Sequence, residues 1–330
     1  MTDHTGIKTT WSAEEVTDGG ERVTHLYPND CYYAHLSIYY FALQFCQGGL
    51  VLDAGSGAGY GSAYLADHGA RFIWGCELSE KAVAFSQHHF QRSNLRYCVA
   101  DLQNITGFPP RNFDLIYSSN LLEHVPDVLA FLRTAWQLLK QDGVMVVAVP
   151  PIVRDVDWTE NIANIYHLNI WTPRQWFHVV SLFFEEIQPY WLGFNKPGFT
   201  LDFSHTPEQC RVDEKDFIYN PAPLEEYYQN PSLGVIFIIR KPRSKSELPD
   251  PATPLTFVEN SFTRSPVSSK DLSAPVKAQS RFYSSLKRLF DRARMVAHEQ
   301  GYGAVLRKTY AFLQRKLQNY RRLLKFKGGG

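Results

Sequence analysis

Residues 51–61 read VLDAGSGAGYG: the end of an apolar strand, an acidic residue and four glycines within eleven positions. Leu50, Val51 and Leu52 have the character of a short buried strand, and Gly55, Gly57, Gly59 and Gly61 permit the tight turn and close backbone approach that follow it. A helix is expected from about Ser62 to Asp67. Strand, glycine loop and helix N-terminus together would form a cradle of unpaired backbone N–H groups suited to a nucleotide-like ligand. The dinucleotide fingerprint G-x-G-x-x-G/A fits poorly, because its third position falls on Tyr60 when counted from Gly55 and on Ser62 when counted from Gly57. Asp53 discriminates further: a carboxylate just before the first glycine repels a pyrophosphate and favours a cationic ligand.

The pattern D-x-G-x-G-x-G at 53–59 resembles the first motif of the class I S-adenosylmethionine-dependent methyltransferases, whose cofactor carries an amino acid and a sulfonium in place of phosphates. The resemblance implies a Rossmann-like α/β fold with a seven-stranded, mostly parallel sheet flanked by helices. It implies S-adenosyl-L-methionine as cofactor, held around Asp53, Gly55, Ser56, Gly57 and Gly59. Upstream, GER at 20–22, HL at 35–36, Tyr39 and FA at 41–42 lead into VLD-x-G-x-G-x-GYGS. That arrangement looks like bacterial methyltransferases of the type 11 domain that modify polysaccharides and other sugar conjugates. Those proteins often carry Arg just before the Tyr, where this chain has Ile38. Holding the cofactor carboxylate would then fall to His35 or Tyr39, unless both are core-facing residues of a helix that covers the cleft.

Downstream the chain alternates strand and helix as a parallel sheet requires. A strand over 71–76 ends in Glu77, where an acceptor-only carboxylate can take both ribose hydroxyls; Leu78 follows it in the cofactor set. Ser79 reads as the cap of a helix over 80–91. The strand RYCVA closes on Asp101 and Leu102, which by resemblance receive the adenine amino group and flank its ring; Asp101 also reads as a helix cap. FDLIYS (113–118) is a fourth strand, after which Ser118, Ser119 and Asn120 would lie beside the sulfonium. His124, in EHVPD, has the titration range of a general base, or it bonds a carbonyl and fixes the turn. A helix from about 126 to 140, an Asp-Gly turn and a strand over 144–149 follow.

Beyond Pro151 a loop of about twenty residues is expected, a length that usually carries function. Its end, NIYHLNIWTP, resembles the H-x-N-x-W-[ST]-P segment of the sugar-modifying methyltransferases. His167 is the first choice for the base that takes an acceptor proton; the alternative is a histidine that tethers the loop. Thr172 and Pro173 form a helix start. FFEEIQPYW and SLGVIFIIRKP read as the last two strands, with an aromatic insertion at about 192–231 that would serve as substrate lid or oligomer contact.

The chain has 330 residues, 44% hydrophobic and 14% aromatic, and no apolar run reaches the ~18 residues of a spanning helix. Five cysteines without a C-x-x-C pair point to a reducing, cytoplasmic setting and away from structural zinc or disulfides, so no metal is expected. From 270 to 330, fifteen Lys and Arg face three acids, a net of +12; with the whole chain at +1, the preceding residues carry −11. The expected organisation is a polar arm (1–20), a methyltransferase domain (21–242), a disordered linker (243–275) and a basic amphipathic helical hairpin (276–327). The hairpin suits an anionic membrane surface at the inner face, a protein partner or the acidic body itself, whereas no recognition motif supports nucleic acid. The expected activity is O-methylation of a sugar hydroxyl in a glycan, nucleotide sugar or lipid-linked saccharide. The alternatives are methylation of a small aromatic or lipid molecule, and a non-catalytic methyltransferase-like scaffold.

Overall fold

The computed structural model describes residues 22–164, 166–251 and Leu255. The expected arm, most of the linker and the basic hairpin lie outside the described residues. Strands β1 (Leu50–Ala54), β2 (Phe72–Glu77), β3 (Leu95–Val99), β4 (Phe113–Ser119), β5 (Leu139–Val149), β6 (Phe184–Phe194), β7 (Phe217–Pro221) and β8 (Val235–Pro242) form one sheet in the order β3-β2-β1-β4-β5-β8-β6-β7. The first five run parallel to one another, and the β5–β8, β8–β6 and β6–β7 pairs are antiparallel. The sheet therefore has eight strands rather than seven. The eighth, β7, comes from the 192–231 insertion: β6 continues to Phe194 and gives that segment an edge to pair with, through Leu192↔Tyr219 and Phe194↔Phe217.

Successive side chains on a strand face opposite ways, so each central strand feeds two cores. Leu52, Ile116, Met145 and Val147 pack with α4 (Val128–Leu138) and α6 (Pro173–Ser181) through Phe131, Leu132, Trp176 and Val179. Val51, Leu115, Tyr117 and Val146 pack on the other side with α1 (Asp30–Cys46) and α2 (Tyr60–Asp67). Asn29 caps α1 by accepting from the Tyr32 amide, and Ser79 caps α3 (Glu80–His89) by accepting from the Ala82 amide. At α6, Thr172 and Gln175 form a reciprocal capping box with Pro173 in the first turn, as its sequence predicts.

Three local expectations change. The helix expected to reach 140 stops at Leu138, because Leu139 already pairs with Phe113 and a register shift precedes the Leu115↔Val144 pair, so the Asp-Gly segment bulges within β5. The expected long loop contains α5 (Asp155–Ala163), started by Asp157 accepting from the Arg154 amide and buried through Trp158 and Ile162 against Ile152 and Ile170. Beyond Pro242 the chain remains docked where it is described: the Arg243 amide donates to Phe183 O, Trp136 Nε1 to Arg243 O, and Arg133 Nη2 to Pro249 O.

The insertion is packed against α1. Phe41 stacks on Tyr219 at 4.3 Å, Ser37 Oγ and the Tyr219 hydroxyl are 2.6 Å apart, and the buried Asp30 carboxylate meets His205 Nδ1 at 3.0 Å. No helix among the described residues is long and apolar enough to cross a membrane.

Helices α1 and α2 meet closely at Gly61, where an added Cβ would lie 2.0 Å from the Tyr39 ring. Gly61→Ala is expected to cost about 1–3 kcal/mol through overpacking, read as a lower midpoint in urea denaturation. An unchanged midpoint would contradict this packing.

Candidate active site

From β1 the chain moves outward to β2 and β3, then returns to place β4 on the other flank of β1. This reversal opens a crevice at the carboxyl ends of β1 and β4, the usual ligand position in such sheets. The loop 55–59 forms one wall and the segment following β4 the other.

The glycine loop is not an open amide cradle. Gly55 and Ser56 both donate to Cys76 O, at 2.8 and 3.0 Å, Gly59 donates to Ser56 O, and the Gly57 amide donates to Glu77 Oε2 at 3.2 Å. A loop whose N–H groups are committed in this way is poorly suited to phosphates. At Gly59, φ is +84° and a Cβ would lie 2.5 Å from Ser86 Oγ, while the Tyr97 hydroxyl donates to its carbonyl at 2.6 Å. Only glycine meets both demands there.

Asp53 is fully buried beneath the loop rather than facing the crevice. It accepts from Ser62 Oγ at 2.5 Å and from the Tyr39 hydroxyl at 3.2 Å. Burial pushes its carboxyl up to about 7, against the lowering effect of those two hydroxyls, and Glu77 raises it slightly further. Tyr39 is thereby a core residue, stacked on Tyr117 at 4.1 Å. His35 takes a different position: its Nδ1 lies 3.4 Å from Asn120 Nδ2, at the crevice. Asn120 itself has φ +48° and donates its amide to Ala148 O.

Glu77, at the end of β2, is nearly buried. Its Oε1 accepts from Arg22 and from the Ser79 amide, both at 3.0 Å, and its Oε2 accepts from Gly57, so it links the glycine loop to the next strand. Leu78 is 64% exposed and Leu102 is 8% exposed. Asp101 is exposed and accepts from the amide and side chain of Gln103, which makes it a local turn cap as well as an edge carboxylate. Two buried hydroxyls at the crevice, Ser56 Oγ and Ser118 Oγ, have no hydrogen-bond partner among the described residues. Orphaned polar groups beside carboxylates at three adjacent strand ends fit a polar, adenosine-bearing cation such as S-adenosyl-L-methionine.

Beyond Asn120 the structure joins two segments that are distant in sequence. The Leu168 and Asn169 amides donate to Glu123 O, and Asn169 Nδ2 donates to Leu122 O and Val125 O. His167 is thereby set against His124, with ring centroids 4.9 Å apart. His124 Nδ1 meets Tyr166 O at 3.0 Å and His167 Nδ1 meets Asn161 Oδ1 at 2.5 Å, so each histidine tethers the loop. Glu123, which sequence reading passed over, is 1% exposed and its Oε1 lies 3.9 Å from His124 Nε2. One ligating atom from each of these three residues lies within 4.8 Å of the others. Chain spacing alone could not reveal this, since His167 follows His124 by more than forty residues.

Residues 52–147 match the family described as "Methyltransferase domain". A ubiquinone biosynthesis O-methyltransferase of Neisseria meningitidis is 29% identical over 102 residues, covering 30% of this chain and 43% of that protein. One from Coxiella burnetii is 37% identical over 95 residues, covering 28% and 40%. The chain thus spans less than half the length of these relatives. An S-adenosylmethionine-dependent methyltransferase from Thermotoga maritima superposes with a TM-score of 0.47 at 15% identity, covering 64% of this chain and 91% of the other. Residues 52–147, which carry the glycine loop and β4 with most of β1 and β5, are thus similar to a methyltransferase domain, and the parallel order β3-β2-β1-β4-β5 is that of a Rossmann-like sheet.

Proposed function

We propose that the protein is an S-adenosyl-L-methionine-dependent O-methyltransferase whose acceptor is a sugar hydroxyl in a glycan, nucleotide sugar or lipid-linked saccharide. The observation that carries the methyltransferase reading is the row of carboxylates Asp53, Glu77 and Asp101 at or just beyond the ends of β1, β2 and β3. The sugar acceptor is supported by resemblance in two segments, the 20–42 stretch and the His167-Leu168-Asn169-Ile170-Trp171-Thr172-Pro173 run. A second reading, an aromatic hydroxyl, is favoured by the relatives named for ubiquinone biosynthesis.

When bound, the cofactor supplies a methyl group activated by its sulfonium. Glu77 would hold the ribose hydroxyls, Leu78 and Leu102 would flank the adenine, Asp101 would accept from its amino group, and Asn120 with His35 would border the reacting end. Asp53 acts from below the loop, by fixing Ser62 and Tyr39. Transfer depends mainly on holding the acceptor oxygen in line with the methyl, and the Glu123, His124 and His167 cluster relieves that oxygen of its proton.

Isothermal titration with S-adenosyl-L-methionine tests the cofactor assignment. A hydrogen bond to a charged group contributes about 1.5–3 kcal/mol, so Glu77→Ala should weaken binding by roughly ten- to a hundredfold; unchanged affinity in both Glu77→Ala and Asp53→Ala would remove it. Incubating the enzyme and cofactor with saccharides and with phenolic acceptors, read by mass spectrometry, separates the two acceptors. Methylation of phenols alone would overturn the sugar reading.

Asp53 also sets a pH dependence. Its folded-state carboxyl titrates near 7, above an unfolded value of about 3.9, so the folded state holds the extra proton between those values. The associated stability is complete below about pH 4 and is lost as pH rises through 7. Asp53→Asn should flatten the fall in urea midpoint across that window; a variant with the same slope as the parent would show that Asp53 does not cause it.

A further inference from the structure

We propose that Cys76 and Cys98 are a peroxide-oxidisable thiol pair, which closes to a reversible disulfide between β2 and β3 and thereby lowers affinity in the cofactor crevice. The two residues are directly paired across parallel strands, and their Sγ atoms lie 3.1 Å apart. Neighbouring strands are separated by about 4.8 Å, within the Cα separation of about 4.4–6.8 Å that a disulfide spans. Both side chains face the same core, Cys76 fully buried within it and Cys98 partly buried at its margin. All five cysteines are free thiols, so the bond has to be made by oxidation.

Chemistry divides the pair into an attacking and a resolving thiol. Cys98 lies on the edge strand of the sheet, in the wall of a cavity of about 470 Å³ that Trp74, Ala100, Ile105 and Phe108 also line. Donation from the Cys76 thiol holds the Cys98 thiol below its ordinary range, against the effect of burial, whereas burial pushes the Cys46 and Cys210 thiols up. A reachable thiol with thiolate character beside a second, buried thiol is the arrangement of redox-sensing cysteines. The Cys98 thiolate attacks an oxygen of hydrogen peroxide: an S–O bond forms, the O–O bond breaks, and the leaving oxygen takes up the thiol proton to give water. The Cys76 sulfur then displaces hydroxide from the Cys98 sulfenic acid, the S–S bond forming as S–O breaks, and the hydroxide departs as water with the Cys76 proton. Two thiols have lost two electrons and the peroxide has gained them.

The bond falls where it can act on the crevice. Cys76 O receives the Gly55 and Ser56 amides at 2.8 and 3.0 Å, Glu77 follows it, and the Ala100 amide donates to Glu77 O just before Asp101. Closing the sulfurs from 3.1 Å to the ~2.05 Å of a disulfide draws the end of β2 toward β3, away from β1 and the glycine loop. This consequence, unlike the bond itself, rests on the cofactor reading above.

The test uses the full chain, reduced, treated with hydrogen peroxide and digested with trypsin without reductant. Peptides 72–81 and 97–111 should appear joined, two hydrogens lighter than their sum, and dithiothreitol should separate them. Titration calorimetry should show S-adenosyl-L-methionine binding weakened by roughly two- to tenfold in the oxidised protein, the worth of one hydrogen bond, with full recovery on reduction. Cys98→Ser should bind the cofactor as the reduced parent does and keep that affinity in peroxide, whereas Cys210→Ser should still form the bond and respond like the parent. Cys98 oxidised without linkage to Cys76, or full cofactor affinity in the linked protein, would overturn the proposal and leave the methyltransferase reading intact. Linked peptides in a protein that binds no cofactor even when reduced would leave the bond standing and contradict that reading.

Discussion

A single buried carboxylate joins the three elements that shape the crevice. Asp53, next to last in β1, takes the Ser62 hydroxyl from the first turn of α2 and takes the Tyr39 hydroxyl from the middle of α1. Gly61 lets the Tyr39 ring lie directly on α2, so the helix covering the sheet and the helix leaving the glycine loop are fixed to the same strand end. Burying this group is costly, as its carboxyl near 7 reports. A hydrophobe would avoid the cost but could not accept from the Ser62 and Tyr39 hydroxyls, so the position is explained by the two helices it ties to β1.

The remaining geometry follows from that anchor. With the loop held by Asp53 below and by Cys76 O and Glu77 at its side, its amides are consumed internally and its outer face is defined by Glu77, Ser56 and the end of β4. Glu77 is the next link, joining Gly57 to the start of α3 through the Ser79 amide. The opposite wall depends on a second set of polar contacts, in which Asn169 and the 168–169 backbone hold the 166–169 segment against Glu123. One wall thus carries the Glu77 carboxylate and the other the His124 and His167 pair beside the buried Glu123.

Local signals made much of this legible. The strand and glycine pattern at 51–61, the Ser79 cap and the Thr172-Pro173 helix start are decided by residues within a few positions of one another, and the structure keeps each. Features that depend on distant partners were not legible. Tyr39 was readable as a ligand contact until its hydroxyl proved to be on Asp53, and His35 gains meaning only from its approach to Asn120. The eighth strand needs the extended edge of β6, and α5 needs the surface of Ile152 and Ile170 on which Trp158 and Ile162 settle. Glu123 attracted no notice because its chemistry comes from a histidine brought in from the far end of a connecting segment.

The central claim, that the carboxyl edge of β1, β2 and β4 is a methyl-donor site, is tested most directly by a crystal structure with S-adenosylhomocysteine. The account predicts ribose hydroxyls on Glu77, with Arg22 giving up its contact there, and the sulfur between Asn120 and the Glu123, His124 and His167 wall. A product bound elsewhere on the chain, or seated in the crevice with its ribose away from Glu77, would contradict it.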